Sequence, residues 1–447
     1  MESRQLTVNV IGAGLAGVEA AWVLAKQGFS VKLHEMKPLK YSPAHSSADF
    51  AELVCSNSFK ADNLASAAGL LKAEMRLLGS LVLEVAEATK VSAGGALAVD
   101  REQFSQEITR RIRENPNIEI VTGEVTEFPQ SNAIIATGPL TSDIFAEQIK
   151  YAVNIAGGGS PLHFYDAAAP IITLESVDLN TAFFGNRYGK GEEISADYLN
   201  CPFTEEEYNV FYNALTDAQC APLQDFEVKV YEGCMPVEIL AKRGRDSVRY
   251  GCMKPVGFTD PRTGKRPFAL VQLRPENDGR TLFNIVGFQT NLKFGEQERV
   301  FRLIPGLENA EFMRFGVMHR NTFLDSPRVL DSSFKLKNSD NIYFAGQITG
   351  TEGYAESAAG GIIAGMALAA SLSGTSGTPF PTLPETTIIG ALSRYISDES
   401  VVNFQPLGAN MGLLPPFETR FKTKQEKYAK LAERGITDLK AAIKGQL

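Results

Sequence analysis

Between a short apolar, β-rich run (Leu6–Ile11) and a helical stretch with apolar residues through Val18–Leu24, the chain reads Gly12-Ala13-Gly14-Leu15-Ala16-Gly17. Gly28 is placed to close that helix, and Ser30–His34 reads as a second strand ending at Glu35. A glycine-rich turn alone is weak evidence. Between a strand and a helix, with an acid 23 positions after Gly12, it is the β-α-β unit that holds a dinucleotide. Gly12 permits the tight turn, Gly14 lets a pyrophosphate approach the backbone, and Gly17 brings the helix against the sheet. The helix N-terminus then faces the phosphate charge. Glu35 would take the ribose hydroxyls, and an acid there repels a 2′-phosphate, which disfavours NADP at this site.

The far end of the chain argues for a flavin. Isoalloxazine is longer than nicotinamide and needs a second anchoring segment. Asn341–Ala345 reads as a strand feeding a turn, Gly346-Gln347-Ile-Thr-Gly350-Thr351, and a helix rich in small residues follows over Ala355–Ala370. A third piece, Ala136-Thr137-Gly138, is a close-approach turn after the strand Asn132–Thr137. Such a split site is typical of FAD oxidoreductases. The expected fold is therefore α/β: a Rossmann-like FAD-binding domain of glutathione-reductase type with an inserted smaller α+β domain. Its parts are 1–155 (FAD-binding, first part), 156–310 (inserted domain) and 311–447 (FAD-binding, second part, with a basic tail helical from Lys422). Helices are expected over Gly69–Ala88 and Asp100–Glu114, strands at Ile118–Val121, Phe226–Tyr231 and Leu282–Phe288, a crossover at Gly157–Pro161 and a linker at Gly374–Pro384.

A chain of 447 residues, 44% hydrophobic and 21% charged, is long enough for two well-buried cores. No apolar run reaches the ~20 residues a bilayer span needs, and the first strand begins too early for a signal peptide, so a cytoplasmic location is expected. The net charge of −8 on its face disfavours nucleic acid, but the average hides local runs. Residues 242–280 carry ten Lys/Arg against four acids, among them Lys242, Arg243, Arg245, Lys254, Lys265 and Arg266; residues 420–444 carry eight against three. Taken alone, either run reads as a solvated face.

Five cysteines without a CxxC pair exclude a disulfide framework and a zinc site, and no histidines pair at metal-ligand spacing, so no metal is expected. Cys55 lies in Glu52-Leu-Val-Cys-Ser-Asn57, and Cys234 in Tyr231-Glu-Gly-Cys-Met-Pro-Val-Glu238, near the basic run. A free cysteine is most often a buried hydrophobe. A reactive one needs nearby cations or a helix N-terminus. Cys201, Cys220 and Cys252 lack such settings and read as structural. His34 reads as packing within its strand; His45 shares the loop with Cys55, and His319 precedes the second flavin segment.

Several stretches then carry a resemblance. Asn9–Ala21, His34-Glu-Met-Lys-Pro38, Glu52–Lys60, Tyr231–Glu238, Lys254-Pro-Val-Gly257, Gln289–Gln297 and Phe344–Ser357 closely resemble the bacterial folate- and FAD-dependent tRNA uracil-5-methyltransferases, and the likeness runs nearly end to end. The resemblance implies synthesis of 5-methyluridine at position 54 in the T-loop of tRNA. The carbon comes from 5,10-methylenetetrahydrofolate and the electrons from reduced FAD recharged by NAD(P)H. It makes Cys234 the thiol that adds to uracil C6 and Cys55 the acid/base or partner thiol at C5, with the two roles exchangeable. The basic runs become phosphate contacts, weakening as salt rises. The target base must leave its stack.

Two stretches depart from the family pattern, Gly251-Cys252-Met-Lys254, where the family usually has Pro at the second position, and Leu407-Gly-Ala-Asn410, where it has Pro-Met-Asn. They leave a ribosomal RNA uridine open as the target. A flavin oxidoreductase acting on small molecules, and an RNA-modification scaffold whose partner supplies the chemistry, are the readings from other classes.

Overall fold

The computed structural model of the protein describes residues 6–155, 162–187, 197–222, 235–374, 383–402 and 404–444. The expected crossover at Gly157–Pro161, the strand Phe226–Tyr231, most of the linker Gly374–Pro384 and Cys234 itself lie outside the described residues.

Strand β1 (Thr7–Ile11), helix α1 (Leu15–Lys26) and strand β2 (Ser30–Glu35) form the opening unit. β1 pairs in parallel with β2, Thr7 opposite Ser30 through Ile11 opposite His34. The sheet grows outward in the order Ile342–Phe344, Ala133–Ile135, β1, β2, Ile118–Thr122, every pairing parallel. Its strands read as short apolar runs because both faces are covered by helices. This is a Rossmann-like α/β fold.

α1 and the helix Tyr354–Leu372 pack almost backbone to backbone. A Cβ built on Gly361 would stand 2.1 Å from the Ala16 carbonyl oxygen, and one on Gly365 3.1 Å from that of Ala20. The small residues of this helix are thus the condition of its approach. By length and composition the same helix could cross a membrane, but 72% of its apolar window is buried inside the protein.

The stretch Gly69–Ala88 is two helices rather than one. Ala67–Leu77 and Leu81–Ala88 are separated at Gly79, whose φ of +75° ends the first, while the Ser80 hydroxyl accepts from the Leu83 N–H to cap the second. Periodicity survives such a break because both helices present leucines to one core. The last helix, Lys424–Ile443, lays Leu431, Ala432 and Leu439 on that core.

A second, antiparallel sheet orders Phe183–Phe184, Leu199–Phe203, Ala269–Pro275, Leu282–Ile285, Ile171–Thr173 and Phe312–Arg314. Its own hydrophobic core draws on residues from Ile172 to Ala310. A two-stranded ribbon, Leu162–Ala167 against Met318–Phe323, joins the two parts. Asn57, from the loop that carries Cys55, donates to the Val99 and Pro275 carbonyls at 3.0 and 2.9 Å, tying the first part to the second sheet.

Candidate active site

A cleft opens at the C-terminal ends of the parallel strands, with about 1170 Å³ of space when its open mouth is counted. That is where open α/β sheets bind ligands. Four stretches wall it: Ile11–Ala16, His34–Val54 in part, Gly123–Phe145 in part, and Ala345–Ser357 in part. Gly12, Ala13, Gly14, Leu15, Ala16, Glu35, Gly138, Gly346 and Gln347 are therefore brought together on its lining.

Gly12 sits at φ +98°, and a Cβ there would meet the Ala136 carbonyl oxygen at 2.6 Å. Gly14 is the N-cap of α1 with no side-chain cap, and the space beside it is open. The first-turn N–H groups of α1 thus face the cleft, a ready anion site. Glu35 ends β2 and holds the loop closed: Oε2 accepts from the Ala13 N–H at 2.9 Å and Oε1 from the Lys37 N–H at 3.0 Å. These features fit the pyrophosphate and ribose of a dinucleotide.

Gly17, Gly350 and Thr351 are not on the lining. Gly17 lies beneath the loop, where a Cβ would come within 1.8 Å of the Gly12 oxygen. Gly350, at φ +84°, presses on the Phe404 ring. The Thr351 hydroxyl donates to the Gly346 carbonyl at 3.0 Å. They shape the turn from behind.

Sequence reasoning missed Tyr354 and His45 as parts of one site. Tyr354 opens the small-residue helix and lines the cleft. Its hydroxyl accepts from the N–H groups of both Cys55 and Ser56 at 2.9 Å. Burial, then the Cys55 thiol, pushes that phenol up from its ordinary value. His45 also lines the cleft, with Nδ1 2.6 Å from the Ser42 hydroxyl, and burial, then Lys37, lowers its basicity. The signal was faint: Tyr354 stands 299 positions from Cys55, and His45 sits in an irregular segment without periodicity.

The Cys55 thiol is half-buried, its Sγ 3.9 Å from the Ala167 carbonyl oxygen. Arg101 fastens its loop, donating from Nη1 to the Leu53 carbonyl at 2.8 Å and pairing with Glu276 through Nε. Arg274 donates to the Ser56 hydroxyl at 2.8 Å. Arg314 adds a third guanidinium, with Nε and Nη2 buried and unpartnered among the described residues. Burial, then Arg101, lowers its basicity. Arg101, Arg274 and Arg314, with Glu276 among them, gather around the loop that carries the thiol and could meet negative charge developing on a ligand.

Cys234 lies just before the described segment from Met235, which is tightly anchored. The Val237 N–H donates to the Gln289 carbonyl at 2.8 Å, and buried Glu238 accepts from the Thr290 hydroxyl and the Asn291 N–H, both at 2.8 Å. The Thr290 N–H in turn reaches the Ala168 carbonyl at 3.3 Å, next to the residue that Cys55 touches. Cys201 is fully buried and burial raises its thiol; burial pushes Cys252 up to about 12. Cys220, half-buried, is raised for the same reason.

The basic run divides. Lys242, Arg243, Lys254, Lys265 and Arg266 are exposed. Arg245 is not available in the same way: Nε donates to Asn209 at 2.8 Å, Nη2 to Glu205 at 2.9 Å, and the guanidinium lies over the Tyr208 and Phe268 rings.

Residues 7–376 match the family described as Glucose inhibited division protein A. A protein of Acetivibrio thermocellus named Methylenetetrahydrofolate--tRNA-(uracil-5-)-methyltransferase TrmFO is 54% identical over 438 residues, spanning 98% of each chain. The TrmFO of Desulfitobacterium hafniense is 55% identical over 436 residues, spanning 97% of each. Among solved structures, Aquifex aeolicus GidA in its form II crystal aligns with a TM-score of 0.67 at 16% identity, over 100% of this chain and 76% of that one, so the fold is shared.

Proposed function

Because this chain belongs to the methylenetetrahydrofolate–tRNA-(uracil-5-)-methyltransferase (TrmFO) family, and to the wider glucose-inhibited division protein A family, we propose that it makes 5-methyluridine at position 54 of the tRNA T-loop. The observation that carries the reading is the half-buried Cys55 beside Tyr354, at the edge of a cleft built for a dinucleotide. FAD is the proposed occupant, 5,10-methylenetetrahydrofolate the carbon donor and NAD(P)H the source of electrons. Bound and reduced, the flavin would supply hydride at the edge of the cleft.

The chain's own residues do the rest. Uracil C5 is a poor nucleophile until a thiolate adds to C6, and Cys234 is assigned that addition. The electron pair then runs to the pyrimidine carbonyl, and C5 bonds to the donated carbon. Cys55 takes the proton from C5 as the bond between the donated carbon and its carrier nitrogen breaks, leaving an exocyclic methylene. Hydride added to that carbon would complete the methyl, and the electron pair returning through C5 expels the Cys234 thiolate from C6. The Tyr354 hydroxyl accepts one hydrogen bond from the Cys55 N–H and one from the Ser56 N–H, and so positions the loop that carries the thiol. Exposed Lys242, Arg243, Lys254, Lys265 and Arg266 are the proposed phosphate contacts.

Cys234→Ala and Cys55→Ala, assayed side by side on an unmodified tRNA transcript, should both lose methylation and both stay yellow. A variant that methylates normally removes its cysteine from the mechanism. Modification of ribosomal RNA but not tRNA would move the target and leave the chemistry in place.

A further inference from the structure

The helix Phe294–Phe301 opens with a ring that is 55% exposed. Phe294 stacks on Phe315 with centroids 4.7 Å apart and planes 15° apart, and Phe315 stacks on Phe312 at 5.3 Å and 14°. All but one of the other aromatic pairs among the described residues are tilted by 35° or more, and the exception, Tyr208–Tyr212, is 6.2 Å apart. Tilted pairs are the ordinary packing of cores. Three nearly parallel rings make a slab whose outer ring, Phe294, is more than half exposed.

The slab is held rigid by one buried amide. Gln297 donates from Nε2 to the Leu292 and Gly316 carbonyls at 2.7 Å and accepts the Gly316 N–H on Oε1 at 2.8 Å. This clamp fixes the helix that carries Phe294 against the strand end that carries Phe315. Gly316 is pressed on the Ala168 oxygen, where a Cβ would come within 2.6 Å, and the Cys55 Sγ lies 3.9 Å from the preceding carbonyl, that of Ala167. The same Cβ would come within 2.6 Å of the Thr290 side chain, which grips Glu238, in the segment that follows Cys234. Gly316, the neighbour of Phe315, therefore links the slab to the Cys55 contact and to the segment from Met235.

An exposed, preformed aromatic plane beside a site that acts on a nucleobase has one matching partner. A base drawn out of its stack leaves a neighbour with an uncovered face, and aromatic rings take such faces regardless of base identity. We infer that the Phe294–Phe315–Phe312 slab is a stacking platform for an unpaired base of the substrate RNA next to the target uridine. This rests on the RNA reading above and specifies where that RNA lies.

The test uses the full-length, flavin-loaded protein and a T-arm minihelix transcript, with affinity followed by fluorescence anisotropy across a salt series. Phe294→Ala and Phe294→Leu should weaken binding by about 5- to 150-fold, the loss of one base–aromatic stack. Phe294→Trp should bind within about twofold of the parent, because a flat ring is what is read. The slope of log affinity against log salt should not change in any of the three, since no phosphate contact is removed, whereas Lys265→Ala should reduce it by about one. With Phe294 more than half exposed, its truncation leaves the core intact, and RNA-independent NAD(P)H oxidation serves as the control for folding.

Phe294→Ala binding within twofold of the parent overturns the platform and leaves the methyltransferase reading standing. Parent protein that binds no RNA overturns both. A parent dimer that Phe294→Ala turns monomeric would assign the face to a second copy and overturn the platform.

Discussion

Gly17 has no room for a methyl group, since a Cβ would stand 1.8 Å from the backbone oxygen of Gly12. Backbone cannot yield as a flexible side chain can, so Gly17→Ala should push the phosphate loop out of shape. The expected outcome is purified protein without flavin absorbance and with a melting temperature several degrees lower. Arg314 makes the opposite kind of prediction. Two of its nitrogens are buried without hydrogen-bond partners among the described residues, and a buried donor left unpaired costs stability. Arg314→Met should stabilise the protein by about 1–3 kcal/mol in denaturant melts while lowering turnover, the exchange expected where a strained group serves a reaction. Equal stability with full activity would remove Arg314 from the site. At this scale the sequence was legible where a residue's task is local. Gly12 and Gly14 act on their own turn, and the motif displays them. Tyr354 serves Cys55 from 299 positions away, and no spacing rule reaches that far. Arg245 counted as one more cation in a basic run, because a count cannot see a guanidinium spread over two rings.

Among the elements, the helix Ile388–Tyr395 begins on a buried carboxyl. Glu74, from Ala67–Leu77, accepts the Ile388 and Ile389 N–H groups at 2.9 Å, yet burial pushes its pKa up to about 8. Glu19, in α1, plays the same part for Leu81–Ala88, accepting the Val82 N–H at 2.9 Å and raised by burial to about 7. The sign follows from linkage. Below the unfolded carboxyl pKa both states hold the proton. Between there and the folded values the unfolded chain gives it up first, so stability falls as pH rises. Melts from pH 4.5 to 8 should show a decline on the order of a few kcal/mol, and Glu74→Gln should flatten its upper part. A profile unchanged by that substitution would mean the carboxylate is ionised in the fold. The break at Gly79 shows why element boundaries were harder to read than element types. Two helices that bury leucines in one core keep a common period, and only a glycine at positive φ marks the join.

For the molecule as a whole, two hydrophobic cores meet at the loop that carries Cys55. Asn57 bonds to a carbonyl on each side, Val99 and Pro275. The α/β architecture was legible because strand–glycine–helix order is written along the chain; the meeting of the two cores was not, because it depends on contacts between distant segments. Since the cleft belongs to the first core, saturating FAD at about 100 times its dissociation constant should add about 2.7 kcal/mol to that core. Calorimetry should then show its transition moving up while the second core's moves less. Both transitions moving equally would mean that the junction makes the protein one cooperative unit.

The cleft's last wall, Ala345–Gln347 with Tyr354 and Ser357, comes more than three hundred residues after Gly12. The complete cleft therefore cannot assemble until residues 345–357 have been made. A nascent chain leaves the ribosome colourless for most of its synthesis, and a stop codon anywhere before position 345 yields a product that stays so.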